Sequence, residues 1–460
     1  MTGRPARPTF RSTMRRSFRP AMRRSFHPAW AVFLLAGLSL FPRLGGMPLI
    51  EPDEGRNAEI AREMKESGDW LVPTYDGLTY LDKPALYFAM VAFSYRTWGV
   101  NETAARLPSA ICGLAVLALL FAFCRREHGP RAAVFSLLVL ASTPLFIVFS
   151  RSVIFDMPLA LCTSVAVLAA FRAEEARGAR RRLWHALGAA GAGVGTLIKG
   201  PVGFLVPGLV LVAHGLWSAG APAPKAARAA GPPGADPRDP AAGENAARVL
   251  DPEPGFLGRY FAPLNFVVFL AITLPWFLAL CHRQPEFLRY GVIEETFRRY
   301  STSAFHRTAP FYYYLPVVLG TFFPWSLLIP GGIVLGWWMR RRLSRPDRLC
   351  LLWAVVVVLF FSTSRSKLPG YILAAAVPHA ILVGRLFARA ADDPHGRCGR
   401  MVRGALIVLA LASTAAGAVV GINALRPGAL QAAFHIHSAE FNRLQPPLNS
   451  FSLSTPLRFT

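Results

Sequence analysis

Long apolar runs alternate along the chain with short polar segments that are rich in arginine. Most of these runs reach roughly 18 residues, which is long enough to cross a hydrocarbon layer about 30 Å thick. We identify eleven candidate spans, at about 29–46, 104–124, 132–149, 153–171, 184–199, 201–217, 262–281, 312–336, 350–363, 368–387 and 403–423. The pattern therefore predicts an all-α fold, a polytopic bundle of transmembrane helices.

The connection between the first two spans, residues 47–103, has a helical pattern of its own. The segment from Asp53 to Ser67 carries apolar residues at helical spacing, and Gly68 is a typical helix stop. The segment from Pro84 to Trp98 is strongly apolar and aromatic. Both segments are typical of short helices that lie at a membrane interface.

The stretch 218–259 interrupts the membrane pattern, because it is rich in Ala, Pro and Gly and has no apolar period. Such composition indicates a disordered linker. We therefore divide the chain into a basic amino-terminal tail (1–28), a first membrane part (29–217) that includes the catalytic loop 47–103, the cytoplasmic linker (218–259), a second membrane part (260–423) and a short outer tail (424–460).

The charge of the chain follows from its membrane topology. The 50 Lys and Arg residues outnumber the 26 Asp and Glu residues, for a net charge of +24. No nucleic-acid recognition motif accompanies these bases, and they crowd short loops between apolar spans, the pattern of cytoplasmic loops. The amino terminus is therefore expected inside, and loop 47–103 outside. The arginine repeat before the first span could also be a twin-arginine signal, but no small-residue cleavage site follows it.

The predicted outer loops contain the unusual polar residues. Asp53, Glu54 and Arg56 stand just after the first span, and Tyr80, Asp82 and Lys83 follow later in the same loop. The acids alone could equally be an acidic helix start, favoured by the helix dipole. Three further predicted outer segments add Asp156, Lys199, and Lys367 with Tyr371.

Asp156 is a functional candidate because a carboxylate inside a span is costly. The alternative is a structural partner for Arg151. Lys199 stands at a predicted outer turn, where a lysine can also simply reach the interface with its long side chain. The six cysteines form no CxxC pair, which argues against a zinc site or a disulfide framework.

Five motifs stand in one order along residues 30–390. They are Asp53-Glu-Gly-Arg with Ala-Glu-Ile-Ala-Arg-Glu-Met64, Ser67-Gly-Asp-Trp-Leu-Val-Pro73, Leu81-Asp-Lys-Pro84, Phe155-Asp-Met-Pro158 and Lys367-Leu-Pro-Gly-Tyr-Ile372. In this order they resemble the bacterial branch of the protein O-mannosyltransferase family, which includes the aminoarabinose transferases of lipid A.

The resemblance implies a GT-C fold, a donor sugar on a polyprenyl phosphate, and transfer outside the cytoplasmic membrane. It implies that Asp53 and Asp156 are the catalytic acids, that Arg56 and Lys83 contact the donor phosphate, and that Tyr371 lies near the donor. The chain departs from the family pattern at Asn57 (usually Tyr), at Asp82 (often Glu) and at Glu294-Glu295 (usually Glu-His), which puts a family metal site in doubt.

The chemistry of the residues agrees with a glycosyltransferase. A departing lipid phosphate gains negative charge, which fixed cations would stabilise, and Lys199 and Lys367 are further candidates for this role. We expect Glu54 and Tyr80 to contact substrate. Oxygen ligands could also hold a divalent metal, with Asp82 and Glu295 as candidates, and no other cofactor is expected.

The predicted protein is thus a multi-pass enzyme of the bacterial cytoplasmic membrane. Its partners would be a polyprenyl-phosphate sugar, membrane lipids and an acceptor that is a lipid A-type glycolipid, a protein or an envelope glycan, with no nucleic acid. The alternative is a polytopic transporter or lipid flippase. Transporters place ionisable residues near the midplane and show repeated halves. Here the acids lie at loop edges and we find no half-repeat.

Overall fold

The computed structural model describes residues 32–219 except 35, residues 262–289 except 288, residues 309–339 and residues 343–425. Its helices are α1 (Asp53–Ser67), α2 (Leu86–Trp98), α3 (Glu102–Glu127), α4 (Pro130–Ala141), α5 (Pro144–Ser150), α6 (Asp156–Glu175), α7 (Gly178–Lys199), α8 (Val202–Ala219), α9 (Pro263–Arg283), α10 (Tyr314–Thr321), α11 (Ile329–Met339), α12 (Arg345–Thr363), α13 (Leu373–Asp392) and α14 (Arg397–Leu425). Short 3-10 helices cover Phe311–Tyr313, Trp325–Leu328 and Pro369–Ile372. The strands β1 (Thr74–Tyr75) and β2 (Leu78–Thr79) pair antiparallel.

The all-α polytopic architecture is confirmed. Among the described helices, six are long and apolar enough to cross a membrane, and eight spans result if each of two bent pairs counts as one. The six are α3, α6, α9, α12, α13 with its preceding 3-10 turn, and α14. Helix α8 is a shorter apolar helix. The full count of eleven stays a prediction.

Two predicted spans are bent where the sequence suggested continuous helices. The span 132–149 is divided into α4 and α5 with an angle of 67° between them. The span 312–336 is divided more sharply, by 113°, between Phe311–Thr321 and Trp325–Val334. A proline stands at each break, Pro144 at the start of α5 and Pro324 before the second 3-10 helix. Proline lacks the backbone N–H that would continue the helix. The length of the apolar run alone therefore predicted one straight helix where the structure has two.

The first predicted span, 29–46, ends earlier than expected. Helical residues at 36–38 give way to turns from Ser39 to Gly45. Pro42 has no N–H to donate, and Arg43 has a left-handed φ of 50°, so the helix cannot continue through them. Arginine side chains from later in the chain satisfy the carbonyl groups of this turn: Arg151 donates to the carbonyl oxygens of Leu40, Pro42 and Arg43.

The loop 47–103 folds as two helices joined by a hairpin, and the two helices were predicted. Helix α1 ends where expected, since Gly68 follows it with a φ of 71°. The hairpin of β1 and β2 was not predicted, because its strands have only two residues each. Apolar residues of α1 and α2 share one buried cluster with the start of α3 and with Val153 and Phe155. This cluster places the loop against the segment that leads into α6.

The main core lies where α3, α4, α6, α12 and α13 meet, with Leu117, Leu137, Val167, Trp353 and Ile381 fully buried. Helix α7 packs closely on α6 through a face of small residues. A Cβ atom added at Gly191 would lie 3.0 Å from the carbonyl oxygen of Cys162 and 3.1 Å from the amide nitrogen of Ala166. A side chain there would have to push the backbone of α6 away, so glycine favours the close approach that brings the end of α7 to the beginning of α6.

The division into domains stays a prediction. The predicted tail 1–28 and nearly all of the predicted linker and outer tail lie outside the described residues; residues 218 and 219 belong to α8, and residues 424 and 425 belong to α14.

Candidate active site

Helix α1 presents Asp53 and Arg56 on one face, because the two residues are three positions apart. The Arg56 Nη2 atom donates to Asp53 Oδ1 across 2.7 Å. The two side chains are 31% and 37% exposed, so the pair is open to a substrate that reaches the face of α1. The carboxylate of Asp53 is thus oriented by a neighbouring cation and still partly available.

Asp156 and Lys199 form the second pair of the site. Asp156 is the first residue of α6, not about one turn inside a span as the apolar pattern suggested. Lys199 is the last residue of α7, and its Nζ atom donates to Asp156 Oδ1 across 2.7 Å. Arg151, the alternative partner of Asp156, instead donates to the backbone turn after the first span.

Tyr371 joins this pair through its ring. The Nζ atom of Lys199 lies 4.7 Å from the centroid of the Tyr371 ring, a cation–π distance. The neighbouring Gly370 permits the approach, because a Cβ atom there would lie 3.1 Å from Cγ of Asp156 and closer still to the ring of Phe149. Asp156, Lys199 and Tyr371, which come from three separate segments, therefore meet at one place.

Lys367 occupies a different environment from the other predicted cations. Its Nζ atom donates to the carbonyl oxygens of Ser364 and Ala309, the latter at 3.0 Å. The residue is 6% exposed, and burial lowers its pKa below the ordinary lysine value. The ammonium thus ties two backbone segments together, where the sequence suggested a contact with the donor phosphate.

The segment from Tyr80 to Lys83 leads into α2. Lys83 donates from Nζ to the carbonyl oxygen of Asp82 across 2.7 Å. The ring of Tyr80 packs edge-on against Phe88 of α2, with 5.8 Å between centroids. All three polar residues of this segment are half-buried.

Glu54, which we expected to contact substrate, is buried at 2% exposure with its carboxylate engaged inside the protein. Its oxygens accept from the side chain of Arg106 at 2.8 and 3.0 Å and from the backbone N–H groups of Ile50 and Val153. Burial by itself raises the pKa of Glu54, but the hydrogen bonds from Arg106, Ile50 and Val153 outweigh it, so the pKa is lowered. The structure therefore places Glu54 behind the exposed face of α1.

Sequence reasoning missed Arg106 and Asn57. Arg106 was counted as part of the second span, 104–124, and an arginine inside a predicted span is itself a signal of function or of a buried partner. Asn57 was noted only as a departure from the family pattern. In the structure its Nδ2 atom donates to the carbonyl oxygen of Val153 across 2.8 Å.

One group of described acids could hold a metal ion: ligand atoms of Glu59, Glu63 and Asp76 lie within 4.8 Å of one another. Glu59 is already paired with Arg62, and Glu63 accepts from Thr74 and from the backbone N–H of Gly77. Asp82, a predicted metal ligand, does not belong to this group, and Glu295 lies outside the described residues. A possible oxygen site thus exists on the face formed by α1 and the hairpin, away from the two predicted ligands.

Comparison with known proteins identifies relatives of the chain. Residues 82–222 match the family described as dolichyl-phosphate-mannose-protein mannosyltransferase. Over 404 residues the chain is 30% identical to the undecaprenyl phosphate-alpha-4-amino-4-deoxy-L-arabinose arabinosyl transferase 2 of Pseudomonas fluorescens, covering 86% of this chain and 63% of that protein. The chain thus spans less than two thirds of this relative.

Solved structures extend the likeness to the fold. The crystal structure of ArnT from Cupriavidus metallidurans bound to undecaprenyl phosphate matches with a TM-score of 0.68 and 33% identity, over 83% of this chain and 64% of that one. The apo oligosaccharyltransferase of Archaeoglobus fulgidus matches with a TM-score of 0.51 and 15% identity, over 84% of this chain and 54% of that one, a likeness of fold alone.

The fold is that of the GT-C class of membrane glycosyltransferases. Over the residues matched, the chain is similar to bacterial polyprenyl-phosphate-sugar glycosyltransferases, which include the aminoarabinose transferases. These matches favour the glycosyltransferase over the transporter alternative.

Proposed function

We propose that this protein transfers a sugar from a polyprenyl-phosphate donor to an envelope acceptor at the outer face of the bacterial cytoplasmic membrane. The observation that carries the proposal is the meeting of Asp156, Lys199 and Tyr371 in a fold that matches ArnT with undecaprenyl phosphate bound. The family resemblance predicted Asp156 and Tyr371 as site residues from motifs far apart in the sequence.

The names of the relatives indicate which donor and acceptor to propose for this chain. The matched Pseudomonas fluorescens protein is named for an undecaprenyl-phosphate donor that carries 4-amino-4-deoxy-L-arabinose. We extend this donor to the present chain, with a lipid A-type glycolipid as the favoured acceptor. A protein or glycan acceptor is the less favoured option, since the matched mannosyltransferase family covers only residues 82–222.

The reaction forms one bond and breaks one bond at the anomeric carbon of the sugar. An acceptor oxygen attacks this carbon, and the bond between the carbon and the phosphate oxygen breaks, so the lipid phosphate leaves with the electron pair. If the acceptor oxygen carries a proton, Asp53 accepts it or orients the group. The transition state places growing negative charge on the phosphate, where cations in a poorly solvated site are most effective.

The division of roles follows the contacts of each cation. Arg56 is partly exposed and Lys83 precedes α2 in the same loop, so both suit the donor phosphate. Lys199 is held between Asp156 and Tyr371, where its charge can act on the leaving group without moving. Lys367 holds backbone carbonyls, and its role is to fix the loop before Tyr371.

The test is transfer by the purified chain in detergent, with synthetic undecaprenyl-phosphate aminoarabinose as donor and lipid A as acceptor. Mass spectrometry of the product would show lipid A heavier by one aminoarabinose residue, and membranes from cells with and without the chain would show the same difference. Release of undecaprenyl phosphate without a modified acceptor would contradict the favoured acceptor. Movement of the lipid across a vesicle without any sugar transfer would support the flippase instead.

A further inference from the structure

Helix α1 carries two polar stripes that face different ways. Asp53 and Arg56 are partly exposed, whereas Glu54 and Asn57, each one residue further along, are 2% and 1% exposed. Both pairs have a spacing of three residues, so each pair shares a face, and one residue rotates the face by about 100° on a helix of 3.6 residues per turn. The reactive stripe therefore has a buried stripe beside it.

The two residues of the buried stripe form hydrogen bonds with both backbone groups of Val153, which belongs to another segment. Glu54 Oε1 accepts from the N–H of Val153 across 2.8 Å, and Asn57 Nδ2 donates to the carbonyl oxygen of Val153 across 2.8 Å. Val153 itself is fully buried. Two opposite hydrogen bonds to one residue fix both the distance and the orientation of its backbone.

Val153 lies three residues before Asp156, in the short connection between α5 and α6. The segment cannot shift without carrying the first residue of α6 with it. A contact between α1 and Val153 therefore determines where the Asp156–Lys199 pair lies relative to the Asp53–Arg56 pair.

Arg106 of α3 contacts Glu54 on the buried side of α1. Its guanidinium donates to both carboxylate oxygens of Glu54 and to the carbonyl oxygens of Leu44, Met47 and Pro48. Arginine's rigid planar fork of donors suits such multiple contacts, which lysine cannot reproduce. Arg106 thus ties α1 to the chain that leaves the first span.

We propose that Glu54, Asn57 and Arg106 are positioning residues that set the placement of the Asp53–Arg56 pair relative to the Asp156–Lys199 pair. The inference rests on the proposed function, because it assigns the two pairs to one reaction. Misplacement of reacting groups by about 1 Å can cost roughly 10²-fold in rate. Loss of the hydrogen bonds to Val153 should therefore lower kcat more than it raises the KM for the donor.

The first experiment compares Asn57→Ala with Ser94→Ala. Ser94 is a matched control, since its buried hydroxyl also donates to a backbone carbonyl, that of Ala104, but far from Val153 in the chain. Both variants should lose similar thermal stability. We expect kcat to fall at least tenfold in Asn57→Ala alone, with the donor KM nearly unchanged. Equal kcat losses in the two variants, or a normal kcat in Asn57→Ala, would overturn the proposal.

Two variants that each keep one property of the original side chain separate shape and charge from hydrogen bonding. Asn57→Asp keeps the shape but replaces the donor to Val153 with an acceptor, and Arg106→Lys keeps the charge but loses the fork. Both should lower kcat as Asn57→Ala does. Normal kcat in both variants would overturn the proposal, because shape and charge alone would then suffice.

A distance measurement tests whether the hydrogen bonds to Val153 fix the position of α1, and it does not depend on sugar transfer. Spin labels at Glu66→Cys on α1 and Phe204→Cys at the start of α8, both exposed positions, report the separation of the two sides of the site. The distance distribution should broaden or shift in Asn57→Ala and stay unchanged in Ser94→Ala. An unchanged distance distribution in Asn57→Ala would overturn the positioning role of these hydrogen bonds. If the wild-type chain transfers no sugar, the proposed function fails while this measurement still decides the positioning role.

Discussion

The ammonium of Lys199 lies 2.7 Å from Oδ1 of Asp156, although the two residues are 43 positions apart in the chain. Their side chains are only 14% and 8% exposed, so each charge depends on the other for compensation. The pair stands at the meeting point of α6 and α7, beside the ring of Tyr371.

Lys199→Met should destabilise the protein, because it leaves the carboxylate of Asp156 buried without its cation. Breaking a buried pair in this way costs ~3–5 kcal/mol. The double variant Lys199→Met with Asp156→Asn should regain much of this stability, since both charges are gone. Thermal unfolding in detergent measures the difference. Sugar transfer should be lost in both variants, and a double variant less stable than Lys199→Met would contradict the pairing.

Asp53→Asn tests the acid on the exposed stripe of α1. The change is nearly isosteric but removes the charge and the basicity, so turnover should fall by roughly 10²-fold or more if the carboxylate is a general base. The donor KM should stay nearly constant. Glu66→Gln is the control, because Glu66 is also a carboxylate of α1 that pairs with an arginine, Arg62. Wild-type turnover in a well-folded Asp53→Asn protein would eliminate the assigned role.

Lys83→Ala should weaken both donor binding and turnover, since the donor phosphate is charged before and during the reaction. A hydrogen bond to a charged group contributes ~1.5–3 kcal/mol, which corresponds to roughly a 10- to 100-fold change in affinity. Steady-state kinetics with the synthetic donor gives both quantities. Lys65→Ala, in the last turn of α1, removes the same charge from the same loop and should change neither. Equal effects of the two variants would indicate that the total positive charge of the loop, and not a specific contact of Lys83, supports donor binding and turnover.

The membrane orientation can be tested by cysteine labelling on a cysteine-free background. Leu78→Cys lies in the hairpin with its side chain 74% exposed, on the predicted outer side. Ala179→Cys is an exposed position in the first turn of α7, on the predicted inner side. A membrane-impermeant thiol reagent should label only the first in intact cells and both after lysis. Protection of Leu78→Cys in intact cells would reverse the whole arrangement.

The contribution of Glu54 to stability should depend on pH. Its pKa in the folded protein lies below the ordinary value of 4.5, so its stabilising effect is fully present above that value and is lost as the pH falls through the folded pKa. Glu54→Gln should therefore be less stable than the wild type at pH 7, and the difference should shrink below pH 4.5. Thermal unfolding at both pH values measures it, and a constant difference would contradict the lowered pKa.

The sequence alone determined the features that depend on local pattern. Apolar length predicted a polytopic helical protein, helical spacing predicted α1, and Gly68 predicted where that helix ends. Five motifs in order predicted the family and its site residues. All of these signals lie within a few residues of each other or in the order of segments, and periodicity and resemblance report such information well.

The tertiary structure alone decided which of these residues meet. Lys199 was expected at a turn, and only the close packing of α7 on α6 shows that its partner is Asp156. Glu54 was expected at substrate, and Arg106, 52 positions away, instead holds it inside the protein. A buried ion pair and a bend of 113° both result from contacts or breaks that a local apolar pattern does not encode. The partner of a charged side chain depends on long-range packing, which the pattern of apolar residues constrains only to a face.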